Sequence, residues 1–479
     1  MTERTLSMLQ GALVALNFLP GCVPLPGRGG WKGVTLVITT FIILSLRHLK
    51  SSLRNLAQAG LLVLLVLPVV TLAQTPAVAA AGAATTVTAA LPDDVIALRR
   101  EANDAVYNLD YTTARAKFEE IRKRLPAHPA GDLYLATLIW LDQLNKSRRL
   151  QTGIYQNESF YAGADKAREE TEGDAVDPAT DRLFRDTINR AKTKALAFVN
   201  RTNKKDPDAL YFLGTVYGVM GSYDASVARK FIGALRNGSR CVDYHQQVVK
   251  LKPDYYDAWM SIGLYNYIVG SLPFPLKALA AMVGTRGSRS KGMAMLEDAM
   301  HKGRYINDDA RVILIAIYQN EQRPEEALKQ LQNLSGRFPR NYLIRLETAT
   351  TLARLQRAQE AYAIYEDLLK SEANGKATDL IHYQYAEALA EGQVYERAAE
   401  HFLAVTKTPG AEPGLVTWSL LRAGQVYDLA GRRTEALAQY QSVISRPNVY
   451  DTREQAARGL KQPFREKEKR RKEGEEENE

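Results

Sequence analysis

A chain of 479 residues with 46% hydrophobic and 24% charged content can bury a large core, which excludes a wholly disordered polypeptide. The formal charge of +9 is small for this length, and residues 1 to 73 hold +5 of it, so the rest carries too little basic excess for a nucleic-acid partner. Only two cysteines occur, Cys22 and Cys241, which excludes a disulfide framework and a cysteine-based zinc cluster.

The leader comes first in chain order. Arg47 to Ala73 has a basic start, an apolar run from Ala59 to Val70 and Thr-Leu-Ala at its end. This is the layout of a secretory signal, with cleavage expected after Ala73. A second apolar run, Val34 to Leu46, precedes it, so the alternative is a retained hairpin anchor within residues 34 to 72. Residues 74–91, rich in Ala and Thr, read as a flexible linker, and folded structure is expected from Pro92.

From there the pattern is helical and repeats. Ala102, Ala105, Tyr111, Ala114, Phe118, Ile121 and Pro126 form a first unit of two amphipathic helices. Gly131 to Asn145 reads as a further helix, and Gln151 to Pro178 breaks periodicity as an inserted loop. Helical spacing returns from Arg182. Asp208 to Gly221 follows as a first helix carrying Leu210, Leu213, Gly214 and Tyr217, with Val227 to Cys241 lengthening its hairpin.

The centre, Trp259 to Gly303, is irregular. Trp259, Ile262 and Gly263 restart the frame, but the second helix does not follow in frame after Leu272-Pro273-Phe274-Pro275; a helix with Met293, Leu296 and Met300 is expected only beyond the basic stretch. Its tyrosines, with Tyr255 and Tyr256, offer a candidate partner groove made of Tyr255, Tyr256, Tyr265 and Tyr267. The glycine-rich stretch that follows supplies Arg286, Arg289 and Lys291 as candidate anion or lipid contacts. A buried helix pair with an exposed basic turn is the plainer reading of the same residues.

The C-terminal part is regular. Ala327, Ala361, Ala398 and Ala436 recur at intervals of 34, 37 and 38 residues, each with apolar partners in the same frame. Small residues at two positions let paired helices approach closely, and larger ones fill the space around that contact. This pattern resembles the tetratricopeptide-repeat superfamily. The resemblance implies an all-α solenoid of helix hairpins, a right-handed superhelix with a concave groove that holds peptides or partner proteins, here with an irregular central segment. The motifs Gly263-Leu-Tyr-Asn-Tyr, Ser271-Leu-Pro, Val283-Gly-x-Arg-Gly and Gly292-Met-Ala-Met-Leu are similar to the central segment of the inclusion-body-clearance family of outer mitochondrial membrane tetratricopeptide proteins.

The expected organisation is therefore a leader (1–73), a linker (74–91), an irregular repeat region (92–303), a regular array (304–462) and a charged disordered tail (463–479). The six histidines have no metal-ligand spacing, and no nucleophile or phosphate-loop motif occurs, so neither catalysis nor a cofactor is expected. Repeats and leader together predict a non-catalytic, exported scaffold of a bacterial cell envelope that binds an unidentified protein or peptide. The alternative is contact with a membrane surface through residues 264–291.

Overall fold

The structure, a computed structural model, describes residues 89–147, 150, 176–272, 277, 286–371, 377–449 and 451–465. The expectations for the leader, for nearly all of the insertion and for most of the tail lie outside these residues. The described residues form seventeen α-helices and no strand. They run α1 (Asp93–Tyr107), α2 (Tyr111–Arg124), α3 (Ala130–Lys146), α4 (Pro178–Arg201), α5 (Pro207–Ser226), α6 (Phe231–Leu251), α7 (Tyr256–Ser271), α8 (Arg289–Lys302) and α9 (Asn307–Asn320). The series continues with α10 (Pro324–Arg337), α11 (Tyr342–Arg354), α12 (Ala358–Lys370), α13 (Thr378–Glu391), α14 (Tyr395–Lys407), α15 (Pro413–Leu429), α16 (Arg433–Ile444) and α17 (Thr452–Lys461). Each helix packs on the next, which is the nearest-neighbour pattern of a solenoid.

The local code for these helices is ordinary. Asp110, Asp177, Asp206 and Asn341 accept backbone N–H groups at helix starts, and Pro178, Pro207, Pro324 and Pro413 occupy first-turn positions where no N–H is needed. The turns inside the hairpins are built alike. Leu109, Gln322, Gln356, Gln393 and Gly431 all adopt positive φ, and from Gln322 onward they are spaced by the same 34, 37 and 38 residues as the alanines. After each of them the next N–H reaches back to the first helix, as in Arg357 N to Leu352 O at 2.9 Å, closing the helix end.

The expected small residues sit at the helix contacts: Ala102, Ala114, Ala327, Ala361, Ala398 and Ala436 are all fully buried. Gly214 and Gly424 make room for rings, because a Cβ on them would lie 2.4 Å from His245 Cδ2 and 2.7 Å from Tyr440 Cε1.

Two expectations change. The fold is already ordered at Ala89, since Ala89 and Leu91 are buried and the Ala89 carbonyl bonds His128 Nε2 at 2.9 Å, so the linker ends before Pro92. In the irregular centre the expected helix of Met293, Leu296 and Met300 is α8, which pairs with α7 after a long connection. At the other end, α17 packs on both α15 and α16, and Phe464 N donates to Asp428 at 2.7 Å, so order extends past Pro463. Two apolar cores result. One joins α1 through α10 and the start of α11, and the other runs from α10 to α17.

Candidate functional site

The first helix returns to meet the ninth. Arg99 Nη2 donates to the Tyr305 carbonyl at 2.8 Å, Tyr107 Oη to Asp309 at 2.7 Å, and Asn341 Nδ2 to the Tyr107 carbonyl at 2.6 Å. The Tyr107 ring stacks on Phe338 with centroids 4.8 Å apart, and Tyr342 Oη bonds Asn145 at 3.0 Å. Residues some two hundred apart in sequence thus close the N-terminal helices around a half-open chamber of about 440 Å³. That volume lies within the range of small-molecule pockets.

The chamber wall is assembled from α1, α2, α3, α5, α6, α7, α9, α10 and α11. Most of it is aliphatic or aromatic, including Leu133, Trp140, Phe212, Val219, Ile313 and Ala316. Its polar members are mostly committed. Thr137 and Thr215 bond carbonyls of their own helices at 3.0 and 2.9 Å, and Trp140 Nε1 bonds Ser226 Oγ at 2.8 Å. Asp257 accepts the backbone N–H groups of Arg304, Tyr305 and Ile306 at 3.0, 2.6 and 3.2 Å, which anchors the entry to α9. Burial raises its pKa, and those hydrogen bonds oppose the rise.

Arg99 is the unusual member. It is 7% exposed and lies between the rings of Tyr134 and Tyr305, 5.1 and 4.9 Å from their centroids. Its Nε and the Tyr305 hydroxyl have no hydrogen-bond partner among the described residues. Burial works to lower its pKa, but Tyr134, Tyr211, Asp309 and Asp257 outweigh it and keep the guanidinium charged. Asp309 is raised by its own burial, against the Tyr107 hydrogen bond and Arg99.

His245 borders the chamber with its Nδ1 2.6 Å from Ser261 Oγ and its Nε2 3.2 Å from the Tyr211 carbonyl. Nε2 therefore carries the proton and Nδ1 accepts from Ser261. Burial lowers the imidazole to about 4 and pushes the neighbouring Cys241 thiol up to about 12, so the first stays neutral and the second stays a thiol at neutral pH. Ser261 and His245 are 1% and 3% exposed, and both ring nitrogens are used within the fold. The pair locks α6 to α7 and α5.

Of the candidate groove tyrosines, Tyr255, Tyr265 and Tyr267 are core residues rather than groove lining. Tyr255 Oη donates to Asp208 at 2.7 Å, and Tyr267 Oη donates to Glu321 at 2.7 Å while accepting from Asn320 at 2.9 Å. Tyr256 is half-buried beneath Lys302, whose Nζ lies 5.0 Å from the ring centroid. Arg286, Arg289 and Lys291 are exposed, but Arg289 is paired with Glu321 at 3.1 Å, and Lys291 lies in the first turn of α8. The apolar residues of α7, Leu264, Ile268 and Val269, face the core, so the described part of 264–291 presents charge and not an apolar membrane face.

Two features escaped the sequence. His382 and His401 face each other across the α13/α14 hairpin with Nδ1 atoms 2.8 Å apart; burial lowers both, His401 to about 4. No group of three or more His, Cys, Asp or Glu able to hold a metal occurs among the described residues. The second is a polar ladder across the first helices of the hairpins, in two parts, one joining α9 to α11 and the other joining α13 to α15 and α17. Gln319 donates to Glu347 (2.7 Å) and Thr351 (3.2 Å). Arg422 grips both oxygens of Glu387 (2.8 and 2.7 Å) and bonds Gln425 (2.7 Å), which in turn bonds Gln455 (3.2 Å). Its beginning, Gln319 and Glu347, also lines the chamber, so the chamber and the first-helix face of the array are continuous.

The stacked hairpins and this shared inner face define a tetratricopeptide-type scaffold. Comparison with known families agrees: residues 258–409 match the model of the Iml2/Tetratricopeptide repeat protein 39 family, and residues 418–448 match a tetratricopeptide-repeat model. The chain is a tetratricopeptide-repeat protein, and its residues 258–409 resemble the Iml2 family. No curated protein sequence matches it. Among solved structures it is similar to the human IFIT1 dimer with PPP-AAAA (14% identity, 78% of this chain and 85% of that one, TM-score 0.36). It is also similar to yeast Tom70 (11%, 78% and 89%, TM-score 0.34) and to the P58(IPK) tetratricopeptide domain (14%, 77% and 98%, TM-score 0.21). Likeness at this level bears on neither ligand nor partner.

Proposed function

We propose that the protein is a non-catalytic scaffold whose first-helix face holds an extended segment of a partner protein. The observation that carries this reading is the polar ladder in two parts, Gln319 with Glu347 and Thr351, and Glu387 with Arg422, Gln425 and Gln455, which sets hydrogen-bonding groups on α9, α11, α13, α15 and α17. Side-chain amides and carboxylates at the spacing of adjacent helices suit a peptide backbone laid across them. A photo-crosslinking residue at Gln384, one turn before Glu387 on the same helical face, should capture the partner segment in the producing cell. The same residue at the exposed Lys329 of a second helix should not. Adducts of equal yield at both positions, or adducts at Gln384 unaffected by a folded Arg422→Ala variant, would sink the reading.

Export to a bacterial envelope is part of the proposal and is supported by the leader pattern alone. The expected mature N-terminus is Gln74; an uncleaved chain in the cytosolic fraction would reject it. Membrane contact through 264–291 rests on the sequence pattern alone: residues 273–276 and 278–285 lie outside the described residues, and α7 buries its own apolar residues in the core. Liposome co-sedimentation should therefore be unchanged when Arg286 and Lys291 are replaced by Glu.

A further inference from the structure

We infer that the chamber lined by α1, α3, α5, α7 and α9 is a binding site for an uncharged, mainly apolar small molecule, the chemistry of a neutral lipid. This site is separate from the peptide-binding face proposed above, although the two adjoin at Gln319 and Glu347.

Three observations lead there. The first is the wall: about 440 Å³ of space lies among Leu133, Trp140, Phe212, Val219, Ile313 and Ala316, while the hydroxyls of Thr137 and Thr215 are spent on their own helices. Such a surface gains from excluding water and offers a polar solute few partners. The second is the burial of the remaining donors. Arg99 Nε and Tyr305 Oη have no partner among the described residues, but neither atom exposes surface to the chamber, so neither offers a bound molecule a hydrogen bond and a strongly polar head gains nothing there.

The third observation is charge, and it decides between ligand classes. One guanidinium, Arg99, faces two carboxylates, Asp257 and Asp309, so the cation already has its counter-charge. A carboxylate or phosphate ligand would add a further negative charge beside those acids in a low-dielectric space. A neutral, apolar molecule avoids that repulsion.

The test uses the full chain and the uncharged fluorophore N-phenyl-1-naphthylamine. Saturable enhancement at one probe per chain is expected, with displacement by a monoacylglycerol and at least tenfold weaker displacement by the fatty acid of the same chain length. Thr215→Phe and Ala316→Phe, which fill the chamber from α5 and α9, should each weaken probe binding at least tenfold while keeping the wild-type helical signal. Absence of saturable binding by the wild-type chain would overturn the site. So would unchanged affinity in a folded Phe variant. Displacement by the fatty acid equal to that by the monoacylglycerol would overturn the neutral-ligand assignment. The competition arm uses the wild-type chain alone, so it decides even if both variants misfold. Gln384 crosslinking reads the peptide face independently, so the two proposals fail separately.

Discussion

Glycine and glutamine carry the most pointed single-residue predictions. Gly263 and Gly292 sit where α7 and α8 cross: a Cβ on Gly292 would lie 2.4 Å from Tyr267 N and 2.6 Å from the Gly263 carbonyl. Backbone stands against backbone there, so no side chain can give way. Gly263 and Gly292 are thus explained by helix packing, without a bound anion. Gly292→Ala should cost about 1–3 kcal/mol of stability, read as a lower midpoint in urea. Gln356 is the reverse case. Its φ of 60° is strained for a side-chain-bearing residue and free for glycine, as Gly431 shows at the equivalent turn. Gln356→Gly should stabilise by about 0.5–1 kcal/mol, and a lower midpoint would contradict the turn assignment.

His245 adds a pH dependence. Its folded pKa is about 4, below the ordinary value near 6.5, so the unfolded chain binds the extra proton between those values. Its contribution to stability is full above about pH 6.5 and falls as the pH drops toward 4, by about 3 kcal/mol in all. The buried acids Asp208, Asp224, Asp257 and Asp309 have raised pKa values and act with the opposite sign. The measurement is therefore the difference between wild type and His245→Gln in unfolding free energy across that window. A flat difference would mean that the imidazole is not held neutral by the fold.

At the scale of the element, the hairpins were legible because the signal for each is local. Ala327 and Ala361 must be small to let two consecutive helices touch, and that demand repeats with the turn. The helix of Met293, Leu296 and Met300 was legible, but its place in the repeat was not, because it begins only at Arg289, after a break that ends the expected frame. The four tyrosines were read as a groove for a related reason. Tyrosine serves a wet surface or a core equally well, and which it does depends on a partner elsewhere in the chain. For Tyr255 that partner is Asp208 and for Tyr267 it is Glu321, 47 and 54 residues away. Arg99 was invisible for the same reason. On α1 it reads as one more surface charge, and only the return of Tyr305 and the neighbouring Tyr134 make it a buried cation.

The whole molecule is unevenly coupled. A regular solenoid unfolds piecewise, because each hairpin depends only on its neighbours. Here the N-terminal helices are closed by contacts of α1 with α9 and with the residues around α10 and α11, so α1 should stabilise helices far from it in sequence. Tyr107 concentrates that closure: it stacks on Phe338, donates to Asp309 and offers its carbonyl to Asn341. Tyr107→Ala would leave Asp309 without its hydroxyl donor and Phe338 without a stacking partner. Amide exchange should then accelerate in α9 and in residues 338–344, which lie on the seam. Exchange in α13 through α16 should stay unchanged, because those helices belong to the second apolar core. Acceleration confined to α1 and α2 would mean that the seam is a passive contact. Acceleration spread evenly to α16 would mean that the two cores unfold as one.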